Sequence, residues 1–310
     1  METSPKSASV RTVTRRDRTA LFGSMRYSDV ASIPARVRIT LLSAVRSEIA
    51  RLRRGPLIWL HLVLALALGG ALGAYFGTTS WDSLLSCDAF FQLLGAGAPL
   101  LVGLSCGLAA DAEREAGEYA NLLGAPSRRR ALAAKGIVLL AMGAAAAAIA
   151  AVIFCGILVA YGRSLPTTAA LAQATLGIVG GSMPLYVISL AIALKWGRNA
   201  SIGLGAIGLM AALASIGGLM NGLVTGKLSG AMPAGVLAFV PFAWPCKLAS
   251  LCIEFAIAGA GDIANAAAQA PVILSSLTTI SFACAAVTAA LIAAGSALAN
   301  RFEDARRQEG

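Results

Sequence analysis

The sequence predicts an all-α membrane protein with six transmembrane helices, and three observations predict it. Hydrophobic residues make up 57% of the 310-residue chain, only 13% is charged, and the mean hydropathy is +0.76. A soluble domain carries about a quarter charged residues. The apolar residues gather into long uncharged runs, each near the roughly 20 residues that a helix needs to cross the hydrocarbon core. The alternating pattern of a barrel strand is missing, and in lipid a helix satisfies every backbone group within itself.

The spans read, in order, Leu57–Phe76, Ala89–Ala110, Gly136–Tyr161, Leu171–Leu194, Ser201–Met220 and Pro271–Asn300. Between the last two lies 221–270. Its apolar run Ser229–Cys246 is broken by Pro233, Pro241 and Pro245, and its 13-residue run Leu248–Ala260 contains Glu254. One more crossing here would export Arg301, Arg306 and Arg307. The segment therefore reads as an external re-entrant hairpin between spans 5 and 6. Twelve of the 25 Lys and Arg residues lie in 1–56, five in 111–135, two in 195–199 and three in 301–310. Only Arg163, Lys227 and Lys247 fall on the other side, so both termini are expected in the cytoplasm. Topology thus accounts for the net charge of +10, and nucleic acid is not an expected partner.

Residues 1–32 are rich in Ser, Thr and Arg without apolar periodicity, and read as a disordered basic cytoplasmic tail. They lack the apolar core of a cleavable signal, and Met25 offers an alternative start. Residues 33–55 read as an amphipathic interfacial helix. Val37, Leu41, Val45, Ile49 and Leu52 recur at helical spacing, while Arg38, Arg46, Arg53 and Arg54 occupy other faces. Gly55 and Pro56 end it before the six-span domain of 56–300. Such a helix lies in the membrane surface, which makes membrane lipid a partner. Residues 301–310 form a second cytoplasmic tail.

Little in the chain suggests catalysis. The six cysteines form no CxxC pair and there is one histidine, so no metal site is expected. A Cys246–Cys252 bridge competes with simple packing of small apolar side chains, and packing is favoured. No ionisable residue is expected inside a span, which argues against an ion-driven carrier and against a channel with a charged ring. His61 reads as an interfacial polar residue. The string GLVTGKL, Gly222–Leu228, has the wrong spacing for a phosphate-binding loop, and neither HExxH nor GxSxG occurs. The chain is therefore not expected to be an enzyme, with no catalytic, cofactor-binding or metal residues. The glycines at 69, 73 and 77, at 103 and 107, and at 177 and 181 form stripes on which helices can approach closely. Pro184 is expected to kink the fourth span.

The most charged loop is DAEREAGEYANLLGAPSRRR, Asp111–Arg130. Read as a helix over 111–124, it places Ala112, Ala116, Tyr119, Ala120 and Leu123 on one face. The acids Asp111, Glu113, Glu115 and Glu118 come early, where the helix dipole favours them. Gly124 ends the helix, Pro126 forbids continuation, and Ser127 is placed to cap the next one. A punctuated helix with exposed Tyr119 and Leu123 suits a groove in a partner.

These residues resemble ABC-2 type exporter permeases, and most closely the lantibiotic-immunity permease subunits. The resemblance is carried by Glu113, Glu115, Gly117, Tyr119, Leu122, Leu123 and Gly124, then by Pro126, Arg128, Arg129, Arg130 and Lys135. The stretch RSEIARLRRGPLIWLH, Arg46–His61, resembles the amphipathic helix that leads into the first span of that family. The resemblance implies a six-helix ABC-2 fold in a bacterial cytoplasmic membrane. It also implies separate ATP-binding subunits holding ATP and magnesium, and a second permease copy or sister permease. The 111–124 segment would be the coupling helix that transmits the motion of the ATP-binding subunits. The implied cargo is an amphipathic antimicrobial peptide, expelled to protect the cell. Competing readings are another hydrophobic cargo, a drug or a lipid, or a scaffold or sensor that transports nothing.

Overall fold

The computed structural model describes residues 40–53, 55–119, 122, 125, 127–216, 221–226, 228, 236–260 and 266–298. The two tails, 1–32 and 301–310, lie outside the described residues, as do Met25 and 33–39.

The first described helix, α1, runs over Leu41–Leu52, inside the expected 33–55. Thr40 is extended, at φ −75° and ψ 156°, and its hydroxyl accepts the Ser43 amide at 3.2 Å. A threonine with that backbone is an N-cap and fixes the start of α1. Gly55 and Pro56 act as expected, Gly55 as an extended cap and Pro56 at the first position of α2 (Pro56–Thr78). Asp82 caps α3 (Ser83–Glu115), its carboxylate accepting the amides of Leu84 and Leu85 at 2.9 Å each. Then come α4 (Arg128–Ala160), α5 (Thr168–Trp196), α6 (Arg198–Ser215), the single turn α7 (Asn221–Thr225), α8 (Trp244–Ala260) and α9 (Ala266–Leu298). The described residues form an all-helical fold, and six of its helices are long and apolar enough to cross a membrane.

The fifth of the six differs from the expectation. It is Pro241–Ala260, not Ser201–Met220. The helix α6 begins with Arg198 and Asn199, ends at Ser215 and spans only about 27 Å. Packing on α3 explains the arrangement. Gly107 meets Arg198, Gly103 meets Ser201 and Gly205, and Ala96 packs with Ala212 and Ile216. Thus α6 covers the second half of α3 and stops beside its middle. There α8 takes over: Cys246 lies against Gly95, and Ser250 against Asp88, near the Ser83 end of α3. Two helices in series line one long helix, and most of the chain between them, 217–220, 227 and 229–235, lies outside the described residues.

The glycine stripes seat these helices. A Cβ on Gly69 would stand 2.6 Å from the Ala150 carbonyl oxygen, and one on Gly73 would stand 3.0 Å from Ile157. The stripe therefore presses α2 onto α4. Gly177 and Gly181 do the same for α5 against the backbone of α8. Close approach of this kind replaces the hydrophobic drive that lipid cannot supply. Phe90 stacks on Phe154 at 3.9 Å, and Phe76 meets Phe154 edge-on at 6.2 Å, which joins α2, α3 and α4.

Pro184 sits inside a continuous α5 and has no amide for the Gly180 carbonyl four residues back. The Cys284 thiol of α9 donates to that carbonyl at 3.4 Å. The six cysteines are all free, and every one except half-buried Cys155 is buried, so Cys246 and Cys252 are not bridged.

The helix interiors hold more charge than the sequence suggests. Asp88 on α3 and Glu254 on α8 are both buried. Asp88 accepts Ser250 Oγ at 2.6 Å and Gln92 Nε2 at 2.7 Å, and Gln92 also reaches Ser250 at 3.0 Å. A carboxyl is tolerated at such a place because donors surround it. His61 is likewise buried. Its Nδ1 donates to the Leu57 carbonyl at 2.8 Å and its Nε2 meets Ser105 Oγ at 3.2 Å, tying α2 to α3.

Two outcomes follow from this packing. Gly69→Leu drives a side chain into the backbone of α4, and its thermal unfolding in detergent is expected to show a loss of about 1–3 kcal/mol. Gln92→Leu strips one donor from buried Asp88. The same measurement is expected to show a loss of about 1–3 kcal/mol, whereas Gln92→Glu paired with Asp88→Asn recovers most of it.

Candidate functional site at the Glu115 end of the helices

The charged loop is built differently from the expected helix over 111–124. Asp111–Glu115 are the last turn of α3, which runs 33 residues without a break. The chain then turns sharply. Gly117, Glu118 and Tyr119 all have positive φ, at 115°, 50° and 65°. The Glu118 amide donates to the Arg114 carbonyl at 2.8 Å, and the Tyr119 amide to the Glu113 carbonyl at 3.2 Å. Glycine adopts this conformation freely, but for Glu118 and Tyr119 it costs about 1–2 kcal/mol each. Burial offsets the strain: Tyr119 and Leu122 are packed inside. Tyr119 is therefore not the exposed docking side chain that the helical reading made it. Exposure falls instead on Glu115, Ala116, Gly117 and Glu118. Leu123, Gly124 and Pro126 lie outside the described residues. Ser127 does precede α4, but its hydroxyl makes no capping bond.

The change of element reverses the electrostatics. Acids expected at a helix start stand at the end of α3, where the dipole disfavours them. Cations from other helices compensate. Glu113, buried to 3% exposure, accepts Lys135 Nζ at 3.0 Å and a guanidinium nitrogen of Arg51. Lys135, on α4 and also buried, donates to Glu48 of α1 at 2.6 Å. Arg51 closes the ring on Glu48 at 2.9 Å. Two acids and two bases from three helices thus form a neutral quartet in which Glu48, Glu113 and Lys135 are buried and Arg51 is exposed. Beside it, Asp111 bonds Arg114 at 2.7 Å and Arg198, the first residue of α6, at 2.9 Å.

The quartet joins parts of the expected site that the loop sequence alone keeps apart. Glu113 and Lys135 meet directly. Glu115 and Gly117 are exposed beside them, and Arg128, Arg129 and Arg130 form the first turn of α4, with Arg129 and Arg130 exposed. Glu48, Arg51, Asp111 and Arg198 were not among the expected site residues. The one available signal was Glu48 and Arg51, three apart on a helix otherwise charged only by arginine.

Breaking a buried ion pair by deleting one partner is worth about 3–5 kcal/mol, because a charge is left unpaired. Lys135→Met is expected to destabilise the fold by that amount in detergent unfolding. Adding Glu113→Gln to it, which removes the surplus carboxylate, is expected to restore at least half.

The quartet and the Asp111–Arg198 pair connect α1, α3, α4 and α6 at one end of the bundle. Comparison with known proteins covers the same ground: residues 44–214 match the model of a family described as ABC-2 family transporter protein. No curated protein and no solved structure matches the chain. The matched stretch is more than half of the 310 residues and contains both ion-pair groups with the helices they tie together. This multi-pass membrane protein belongs to the ABC-2 transporter family.

Proposed function

We propose that this chain is the membrane permease subunit of an ATP-driven exporter, moved by ATP-binding subunits that grip the Glu115–Glu118 turn. Membership in the family implies such partner subunits. The observation that carries the coupling role is the bonding at the base of the turn. Glu113 is fixed to Lys135 and Arg51, and Asp111 to Arg198. A partner that displaces the exposed turn therefore displaces the ends of four helices together, without a hinge between handle and bundle. The chain's own part is mechanical. ATP and magnesium are held by the partner, and hydrolysis happens there.

The same reading places the quartet end in the cytoplasm, with both termini, and the Ser83 end of α3 outside. The distribution of Lys and Arg supports this orientation. With α6 and α8 in series counted as one crossing, six crossings return the tail to the side of α1. The permease acts as a pair, with a second copy or a sister permease. Its cargo is an amphipathic antimicrobial peptide, expelled as self-protection. The likeness of Glu113–Lys135 to lantibiotic-immunity permeases supports that cargo.

Two measurements test these points. A tagged chain expressed in its source cell is expected to co-purify with an ATP-binding subunit. The Glu115→Lys/Glu118→Lys pair is expected to cut that recovery at least tenfold while the melting temperature holds. Equal recovery by the variant removes the turn as the grip. In intact cells, a tag after Gly310 is expected to be shielded and one at exposed Gly162, between α4 and α5, accessible; the reverse pattern inverts the orientation.

A further inference from the structure

Where α1 leans on α2 and α4, the described residues leave an open groove of about 250 Å³. Ile49 and Leu52 of α1, Ile58 of α2, and Ile137 and Met142 of α4 line it, and its wall is almost wholly apolar. Water in such a groove would lack the polar partners that hold a buried water. Hydrocarbon would not.

Charge at the rim narrows the choice of occupant. Arg53 forms part of the groove wall, and Arg46 stands seven residues earlier, on the same stripe of α1. Both are exposed, and among the described residues no carboxylate pairs with either. The contrast with Arg51 is sharp: that residue, on the opposite side of the helix, is consumed by Glu48 and Glu113. The acids of this region are thus spent inside the quartet, and the groove side keeps an uncompensated positive rim above an apolar slot. An anionic head on a hydrocarbon tail complements both features.

We propose that the groove between α1, α2 and α4 is a binding site for an anionic phospholipid of the cytoplasmic leaflet. One acyl chain lies along Ile49, Ile58 and Met142, and the phosphate stands against Arg53 within the field of Arg46. The inference rests on the proposed placement of α1 at the cytoplasmic membrane surface. It adds that the lipid wedges between α1 and α4, the two helices that the quartet clasps on the other side. The lipid and the quartet then hold α1 from both faces.

The test uses the full chain, delipidated in dodecyl maltoside and titrated with phosphatidylglycerol, with phosphatidylcholine of the same chains, and with glycerol 3-phosphate. Native mass spectrometry reads the retained lipid. The parent is expected to prefer phosphatidylglycerol to phosphatidylcholine. Each arginine near an anionic surface adds about a fivefold gain, so Arg46→Gln/Arg53→Gln is expected to lose about 25-fold. Ala145→Phe fills the exposed end of the groove and is expected to lose both lipids at an unchanged melting temperature. Equal retention of the two lipids by the parent, or parental retention of phosphatidylglycerol by either variant, overturns the site. Displacement of phosphatidylglycerol by millimolar glycerol 3-phosphate overturns the role of the acyl chain. A spin label at exposed Ser47→Cys, read for depth in bilayers, separates the two levels of the proposal. A label in the headgroup layer with failed lipid selectivity removes only the groove site, and a label in bulk water removes the placement of α1 as well.

Discussion

The ion-pair quartet of Glu48, Arg51, Glu113 and Lys135 is the constraint around which this end of the molecule is organised. Glu48, Glu113 and Lys135 are buried, and each charge would be costly there alone. With Arg51 the set is neutral, and each acid has a base within 3.0 Å. Charge neutrality requires three helices to end at one place. It fixes where α1 lies, how far α3 extends, and where on α4 the first buried turn falls. The strained left-handed residues after α3 follow from the same demand. The chain has to reverse at once after Glu113 to keep that carboxylate inside, and burial of Tyr119 and Leu122 holds the reversal in place.

The long helix α3 is the second organising element. Its glycines let α6 and then α8 approach to backbone contact, one on each half. Breaking the fifth crossing at mid-length brings polar groups into the bundle. The N-terminus of α8 lies beside Gly95, and one further turn places Ser250 against Asp88 and Gln92. A continuous helix in that position would have carried polar side chains such as those of Asn221 and Thr225 through the hydrocarbon layer, where they would lack partners.

Much of this architecture was legible from residues alone. The uncharged runs located the helices before and after the charged loop. Gly55-Pro56 marked the break after α1, and the three glycine stripes proved to be helix contacts. The errors share one cause, which is that partners far apart in sequence are invisible to local pattern. Lys135 is 87 residues from Glu48, so nothing near the acids in Asp111–Glu115 revealed that they close a helix instead of opening one. The apolar count stopped α3 at Ala110, although its last turn persists to Glu115 because cations from α1, α4 and α6 neutralise it. Asp88 escaped notice for the same reason. It stood at the edge of the Ala89–Ala110 run, whereas Glu254, at the centre of Leu248–Ala260, was seen but set that run apart from the spans. The split fifth crossing was hidden because Ser201–Met220 is apolar enough for a span by itself; only its packing on α3 shows where it stops.

The quartet also bears on biogenesis. Glu48 leaves the ribosome before the first span, Glu113 after the second, and Lys135 only as the third begins. At about 5–20 residues per second, the 87 residues between Glu48 and Lys135 take about 4–17 s to make. Over the last 22 residues of that interval, from Glu113 to Lys135, the nascent chain carries two carboxylates against Arg51 alone, so its first helical hairpin cannot yet seal against the bilayer. The arrival of α4 locks the earlier helices retroactively, and the insertion machinery has to shelter an unfinished, electrically unbalanced intermediate until then.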